Sequence, residues 1–402
     1  MKILFASTVF PHPADPIRGV YNRSLCRAMA DVDRPDGRPQ VRVVSPRMWR
    51  DALTARGGPP LETGRIEAIE YPTFWYPPGV GRRYLSTFLK WSGRRAVRRL
   101  TRDWSPDIVL SYWADPDGVA ALAWARQLGA KSALIIGGSD VLLMPERPEL
   151  AGVVEATINR SDLICTVSES LVDDVRRLCP ETTATVTCQT QGIDTRFFPR
   201  GERADARRQL GLPDAPTLLW VGRLDPIKDL PLLIEAFAIL SRERPDVRLV
   251  VIGGGEDKPR LDTAIARHGV AAGVRLVGPL PPDRLGPWFQ AADATVLSSE
   301  SEGLPNVLRE SLACGRPFAS VDVGSVREVG DETCRVLCPY GDAAALAAAM
   351  GKVLRPSYLE AAMATPVRTW QMAGEEMVAE FERLLAEPAE TADPAARTAV
   401  TA

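Results

Sequence analysis

The sequence predicts an α/β protein of two Rossmann-like, doubly wound domains that face each other across a cleft, with a C-terminal helix crossing back onto the first. Three observations carry this. The chain has 402 residues, too long for one ordinary hydrophobic core. Short apolar, β-rich runs alternate with longer helix-period runs from end to end, the rhythm of parallel sheets with helices on their faces. Near residue 200 the rhythm breaks into a charged segment with prolines and glycines, and then it restarts.

In the first half the strands read as 3–8, 41–45, 66–71, 107–112, 133–137, 163–167 and 184–189, with helices such as 21–30, 118–128 and 169–178 between them. In the second half, strands 217–221, 247–252, 274–277, 294–298 and 317–321 alternate with helices 230–242, 258–268, 283–291 and 306–313. A last helical segment, 367–385, follows once the second sheet reads as complete. These limits define domains at 1–200 and 201–366, a returning helix at 367–386 and a tail at 387–402. The tail is rich in Ala, Thr and Pro and is expected to be disordered. Open α/β sheets bind ligands beyond the carboxyl ends of their strands, so chemistry is sought in those loops.

Composition narrows the classes. Hydrophobic residues make up 45% and charged residues 25%, the make-up of a soluble globular protein. A net charge of −2 leaves no global footprint for nucleic acid. The seven cysteines are odd in number and irregularly spaced. Cys334 and Cys338 lie four apart with no second pair, and His12 and His268 are the only histidines. This predicts reduced thiols and no histidine-based metal centre. The apolar run after Met1 is too short for a signal peptide, and no stretch approaches the ~20 apolar residues of a membrane helix. A cytoplasmic protein is expected.

The strongest motif runs from Ser298 to Pro317. A strand ends at Ser298, a loop with Glu302, Gly303 and Leu304 follows, and a helix opens near Pro305 or Asn306. Free N–H groups at that helix start suit phosphate or sugar hydroxyls. A carboxylate accepts two hydrogen bonds from a vicinal diol, so Glu302 and Glu310 suit two polyols on one ligand. On spacing alone, a helix cap and a solvated glutamate fit equally well. The second motif, Trp220 to Asp229, follows the first strand of the second domain. Gly222 permits a tight turn. Arg223 and Lys228 then project two cations, enough to hold a diphosphate and neutralise the charge it gains on leaving.

These residues resemble the GT4 family of retaining glycosyltransferases with the GT-B fold. Its Glu-x7-Glu motif is met by Glu302 and Glu310, and its Gly-Arg-Leu…Lys loop by Gly222, Arg223, Leu224 and Lys228. Further similar segments are 167–170, Gln191 to Asp194 and Val277 to Leu280, and the likeness runs from Met1 to about Leu385. The resemblance implies a first domain for the acceptor and a second for a nucleotide-sugar donor. By it, Glu310 holds the donor ribose, Arg223 and Lys228 hold the diphosphate, and Glu302 touches the transferred sugar beside Gly303 and Leu304. Gly278 borders the nucleobase, and Gly19 lies close to the donor phosphates. No metal or other cofactor is implied, because the two cations replace it.

The acceptor side departs from that pattern. Many relatives have His-Gly-x-Asp where this chain has Gly137, Gly138, Ser139 and Asp140, so the histidine position is a glycine. Asp140 either orients the acceptor or caps a helix. His12 is another polar group for the cleft, or a structural residue between prolines. Asp115 and Asp117 spell Asp-x-Asp but precede a helix, which reads as a helix start. Segment 82–102 carries Arg82, Arg83, Lys90, Arg94, Arg95, Arg98, Arg99 and Arg102 among Phe88, Leu89, Trp91 and Val97. It is either a solvated helix face or a helix for the anionic inner face of the plasma membrane. The expected function is metal-independent, retaining transfer of a sugar to a hydroxyl of a glycan or lipid-linked acceptor, as in bacterial surface polysaccharide or glycolipid synthesis. The alternatives are a sugar-nucleotide epimerase of the same fold and a non-catalytic sugar-nucleotide-binding partner.

Overall fold

The computed structural model describes residues 1–387 apart from 55–57, 59, 77–83 and 197. The first sheet has seven parallel strands: β1 (Lys2–Ala6), β2 (Gln40–Val44), β3 (Ala68–Glu70), β4 (Ile108–Tyr112), β5 (Lys131–Ile136), β6 (Leu163–Thr166) and β7 (Thr185–Cys188). Their spatial order is 3-2-1-4-5-6-7. The second sheet has six: β8 (Thr217–Val221), β9 (Arg248–Ile252), β10 (Val274–Gly278), β11 (Ala294–Leu297), β12 (Phe318–Val321) and β13 (Arg335–Cys338), in order 10-9-8-11-12-13. Both orders run outward from the first strand of the unit and reverse beside it, between β1 and β4 and between β8 and β11. That reversal splays the following loops apart and leaves a crevice at the strand ends.

The strands read as continuous apolar runs because both faces are covered. In β1, Ile3 and Phe5 enter one core while Leu4 and Ala6 enter the core on the other face. In β8, Leu218 and Trp220 face one way and Leu219 the other.

The chain passes between the two units twice. After β7 it leaves the first sheet, and near Arg368 it returns. The two passages lie side by side: Ile193 N donates to the Arg368 carbonyl at 2.9 Å, and Ile193 pairs with Thr369 as an isolated parallel bridge. The returning helix Trp370–Ala386 buries Met377, Val378, Phe381 and Leu384 in the core of the first sheet. Each such side chain contributes roughly 1.5–3 kcal/mol. Gly374 permits the approach, since a Cβ there would lie 2.6 Å from the Ala28 carbonyl carbon of helix Val20–Asp31.

Some elements differ from the sequence reading. The charged stretch after residue 200 contains the helix Arg203–Leu210, and β13 extends the second sheet beyond 317–321. Helices Pro148–Asn159, Ala343–Val353 and Pro356–Ala364 add to those expected. Arg47–Met48 and Thr73–Phe74 form a separate two-stranded ladder. The basic helix spans Leu85–Leu100 and buries Leu89, Gly93, Ala96, Val97 and Leu100 against the first domain. Its outer side exposes Trp91, with the Arg94 guanidinium 4.2 Å from that ring centre. Pro77, Pro78, Arg82 and Arg83, and tail residues 388–402, lie outside the described residues. Among the described residues, no helix is long and apolar enough to cross a membrane.

Candidate active site

Three loops at the carboxyl ends of the second sheet converge. The loop after β8 carries Lys228, and the loop after β11 carries Glu302. Lys228 Nζ lies 2.5 Å from Glu302 Oε1, with the glutamate side chain 11% exposed and the lysine 22%. Backbone contacts lock the two loops together: Ser298 Oγ donates to the Lys228 carbonyl at 2.8 Å, and Glu300 N to the Ile227 carbonyl at 2.8 Å. The third loop, after β12, passes so close to the Glu302 backbone that Gly324, at φ +51°, has no room for a Cβ. Arg223 does not join the pair. Its side chain is 78% exposed and binds Asp225, Nε to Oδ2 at 2.5 Å. Gly222 sits under the Trp220 ring, and a Cβ there would lie 3.0 Å from it. Gly278, at φ +87°, ends β10, and its carbonyl accepts from Gly253 N at 3.0 Å.

Glu310 lies one turn into the helix Asn306–Ala313 and is 6% exposed. Burial pushes its carboxyl up to about 7. Its partner comes from the other domain: the Tyr21 hydroxyl donates to Glu310 Oε1 at 2.9 Å. Burial and this carboxylate in turn raise the Tyr21 pKa well above its ordinary value. Tyr21 lies in the first turn of the helix Val20–Asp31, whose preceding residue Gly19 has φ +72° and is packed so tightly on the Val9 carbonyl that only glycine fits. Beside Glu310, Arg309 donates to the Gln191 carbonyl, and Asn306 Nδ2 to Gln191 Oε1 at 3.2 Å.

The loop after β5 closes the cleft from the first domain. A Cβ on Gly303 would lie 2.5 Å from the Gly137 carbonyl oxygen, and one on Gly138 (φ +120°) 3.0 Å from the Gly303 Cα. Leu304 packs against the first domain's core. Asp140 is fully buried with both oxygens occupied: Oδ1 accepts from Ala114 N at 2.8 Å and Oδ2 from Gly137 N at 2.9 Å. Burial still raises its pKa to about 6. It therefore ties the loops after β4 and β5 together and presents no free carboxylate to the cleft. In the loop after β4, Trp113 adopts φ +74° and ψ 140°, a conformation that costs a non-glycine residue on the order of 1–3 kcal/mol.

The remaining sequence-predicted residues separate. His12 Nδ1 accepts from Ala14 N at 3.0 Å and lies 2.9 Å from Arg47 Nη1, so it serves its own turn. Burial and Arg47 keep its pKa below the ordinary value. Asp117 is buried, and its Oδ2 accepts from Ser7 Oγ, Thr8 N and Thr8 Oγ1 at 2.9–3.0 Å. Among the described residues no three His, Cys, Asp or Glu side chains gather as a metal site. A groove of about 880 Å³ lies away from the converging loops, between helix Val20–Asp31, Asp194 to Arg196 and the returning helix.

Sequence reasoning missed Tyr21 and Glu328. Glu328 follows β12 and reaches across the domains to accept from Glu169 N at 2.6 Å and Ser170 N at 2.8 Å. Ser325 Oγ bonds the Ser168 and Ser170 hydroxyls at 2.7 Å each. Both Tyr21 and Glu328 act between domains, and no local spacing signals them.

Two facing Rossmann-like units with a polar cleft define the GT-B class, and comparison with known proteins agrees. The family model for glycosyltransferase family 4 matches residues 19–197, and that for glycosyl transferases group 1 matches 215–356. A D-inositol 3-phosphate glycosyltransferase of Frankia alni is 31% identical over 281 residues, covering 64% of this chain and 68% of the relative. That of Thermobispora bispora is 40% identical over 152 residues, 35% of this chain. The chain spans well under half the length of the first relatives it matches: 36% for Thermobispora bispora and 39% for Acidothermus cellulolyticus. Among solved structures, sucrose-phosphate synthase from Thermosynechococcus elongatus superposes with a TM-score of 0.75 at 20% identity, covering 96% of this chain and 99% of that one. Anabaena HepE in complex with UDP-glucose gives 0.72 at 17% identity, covering 95% and 100%. The chain belongs to glycosyltransferase family 4.

Proposed function

We propose that this protein transfers a sugar from a nucleotide-sugar donor to an acceptor hydroxyl, with retention and without a metal. The observation that carries the reading is the Lys228–Glu302 pair at 2.5 Å, set in strand-end loops, with the buried Glu310 on the helix that follows the Glu302 loop. A cation and a sugar-facing carboxylate are thus held adjacent, and a second carboxylate suited to a ribose diol lies one turn into the helix that follows. Arg223 and Lys228 hold the diphosphate, Arg223 exchanging Asp225 for a phosphate oxygen. The Glu302 carboxylate accepts from hydroxyls of the sugar, and the N–H groups of Gly303 and Leu304 lie beside it. Gly278, Gly222 and Gly19 let backbone approach the nucleotide closely.

The acceptor hydroxyl attacks the anomeric carbon from the face the nucleotide leaves. The C–O bond to the diphosphate breaks as the new one forms, and the departing diphosphate takes the hydroxyl proton. Stabilisation of that leaving charge by two cations supplies most of the rate. The acceptor enters from the first domain. The outer side of helix Leu85–Leu100, with Trp91 and its arginines, suits an anionic lipid surface and so a lipid-linked acceptor. The relatives' name makes inositol 3-phosphate a second acceptor to try.

The test is calorimetric titration with UDP-, GDP- and ADP-sugars in the presence of EDTA. Micromolar binding of one nucleotide class is expected. Binding that appears only when a divalent metal is added overturns the metal-free site, and no binding under either condition overturns the donor site itself.

A further inference from the structure

The structure explains why residue 137 is a glycine. A Cβ at this position would lie 2.5 Å from the Tyr112 hydroxyl oxygen, and Trp113 Nε1 would stand 3.5 Å from it. The space a side chain at 137 would enter is taken by the Tyr112 hydroxyl and bordered by the Trp113 indole N–H, two polar groups from the end of β4. Three features distinguish them. Among the described residues, neither the Tyr112 hydroxyl nor the Trp113 indole N–H makes a hydrogen bond to the protein. Burial, with the Asp140 carboxylate nearby, holds the Tyr112 pKa far above its ordinary value, so the phenol keeps its proton. And Trp113 is held in left-handed, glycine-favoured backbone by Trp113 N to the Ile135 carbonyl (3.0 Å), Gly118 N to the Trp113 carbonyl (2.9 Å) and the Asp140 clamp on Ala114 and Gly137. Strain of this kind persists where the surroundings fix a side chain for a purpose.

Their position gives the purpose. Gly137 and Gly138 touch Gly303, the residue after Glu302. Donors beside Gly137 therefore border the place where Glu302 meets the sugar, from the opposite domain. Half-buried O–H and N–H donors without protein acceptors match ligand oxygen acceptors, and a sugar ring offers several.

We propose that the Tyr112 hydroxyl and the Trp113 indole N–H recognise hydroxyls of the transferred sugar and help set which sugar is accepted. The inference rests on the donor-site reading above. Glu302 grips the sugar with an acceptor from one domain, while Tyr112 and Trp113 grip it with donors from the other. Asp140 is a positioning residue for both.

The test compares wild type, Tyr112→Phe and Trp113→Phe by calorimetry with UDP, GDP and ADP and with UDP-glucose, GDP-mannose and ADP-glucose. Tyr112→Phe keeps the ring and removes one hydroxyl. The expected result is a tenfold or greater loss in affinity for the bound sugar nucleotide, with affinity for its parent nucleoside diphosphate within twofold of wild type. Trp113→Phe should act in the same direction. Equal losses for nucleotide and sugar nucleotide, or no loss in either variant, overturn this inference and leave the donor site standing. Failure of wild type to bind any nucleotide overturns the donor site and this inference together. A packing control uses Gly137→Ala, which should lower the melting temperature in wild type and less so in a Tyr112→Phe background. An equal drop in both backgrounds shows that the hydroxyl does not occupy that space.

Discussion

At the scale of single residues, the site combines charges in water with charges out of it. The proposed mechanism assigns Lys228 and Arg223 to the diphosphate, so Lys228→Ala or Arg223→Ala should lower turnover by orders of magnitude with the melting temperature nearly unchanged. Near-normal steady-state rates in both variants would remove them from the mechanism. Glu310 is the buried case. Its pKa is raised from 4.5 to about 7, so the ionised form is disfavoured in the folded protein. The sign follows directly: the stability this group contributes is fully present below about pH 4.5 and is lost as pH rises through about 7. Glu310→Gln should therefore melt several degrees higher than wild type at pH 8 and no higher at pH 5. In the same variant nucleotide affinity at pH 8 should fall about tenfold or more, as expected for a lost hydrogen bond to a charged group. Melting curves at the two pH values, paired with titrations, check both.

At the scale of elements, the loops after β4 and β5 depend on one buried carboxylate. Asp140→Asn leaves a single oxygen for two backbone donors and sets an NH₂ group against an N–H. The loss should be about 1–3 kcal/mol in urea unfolding, and an unchanged midpoint would mean that the clamp contributes nothing. Much of this level was legible from sequence. Parallel strands covered on both faces read as short apolar runs, as in β1 and β8, and the motif spacing located Lys228, Glu302 and Glu310. The helix Arg203–Leu210 was not legible because its charged residues give no apolar stripe. The edge strand β13, Arg335–Cys338, is only four residues long and offers too little pattern. Asp140 was legible as a residue of interest, but only the folded loops distinguish a clamp from a free carboxylate. His12 stood out as a rare polar group, yet its ring serves its own turn. Tyr21, Glu328, Tyr112 and Trp113 gain meaning only from contacts distant in sequence.

At the scale of the whole molecule, closure is stapled by hydrogen bonds from opposite domains. Glu328 caps the start of helix Glu169–Leu178 from across the cleft, Ser325 joins Ser168 and Ser170, and Tyr21 meets Glu310. Glu328→Ala removes an acceptor of two N–H bonds, so the open form should gain population. The radius of gyration from small-angle scattering should rise in the absence of nucleotide; an unchanged profile would show that closure does not depend on this cap. The returning helix has a different consequence. Met377, Val378, Phe381 and Leu384 complete the core built on β1, yet they are synthesised some 370 residues after it. On the ribosome, the first sheet must wait through the synthesis of those intervening residues with an apolar face uncovered. That interval is when nascent chains are most prone to aggregate and most in need of chaperones.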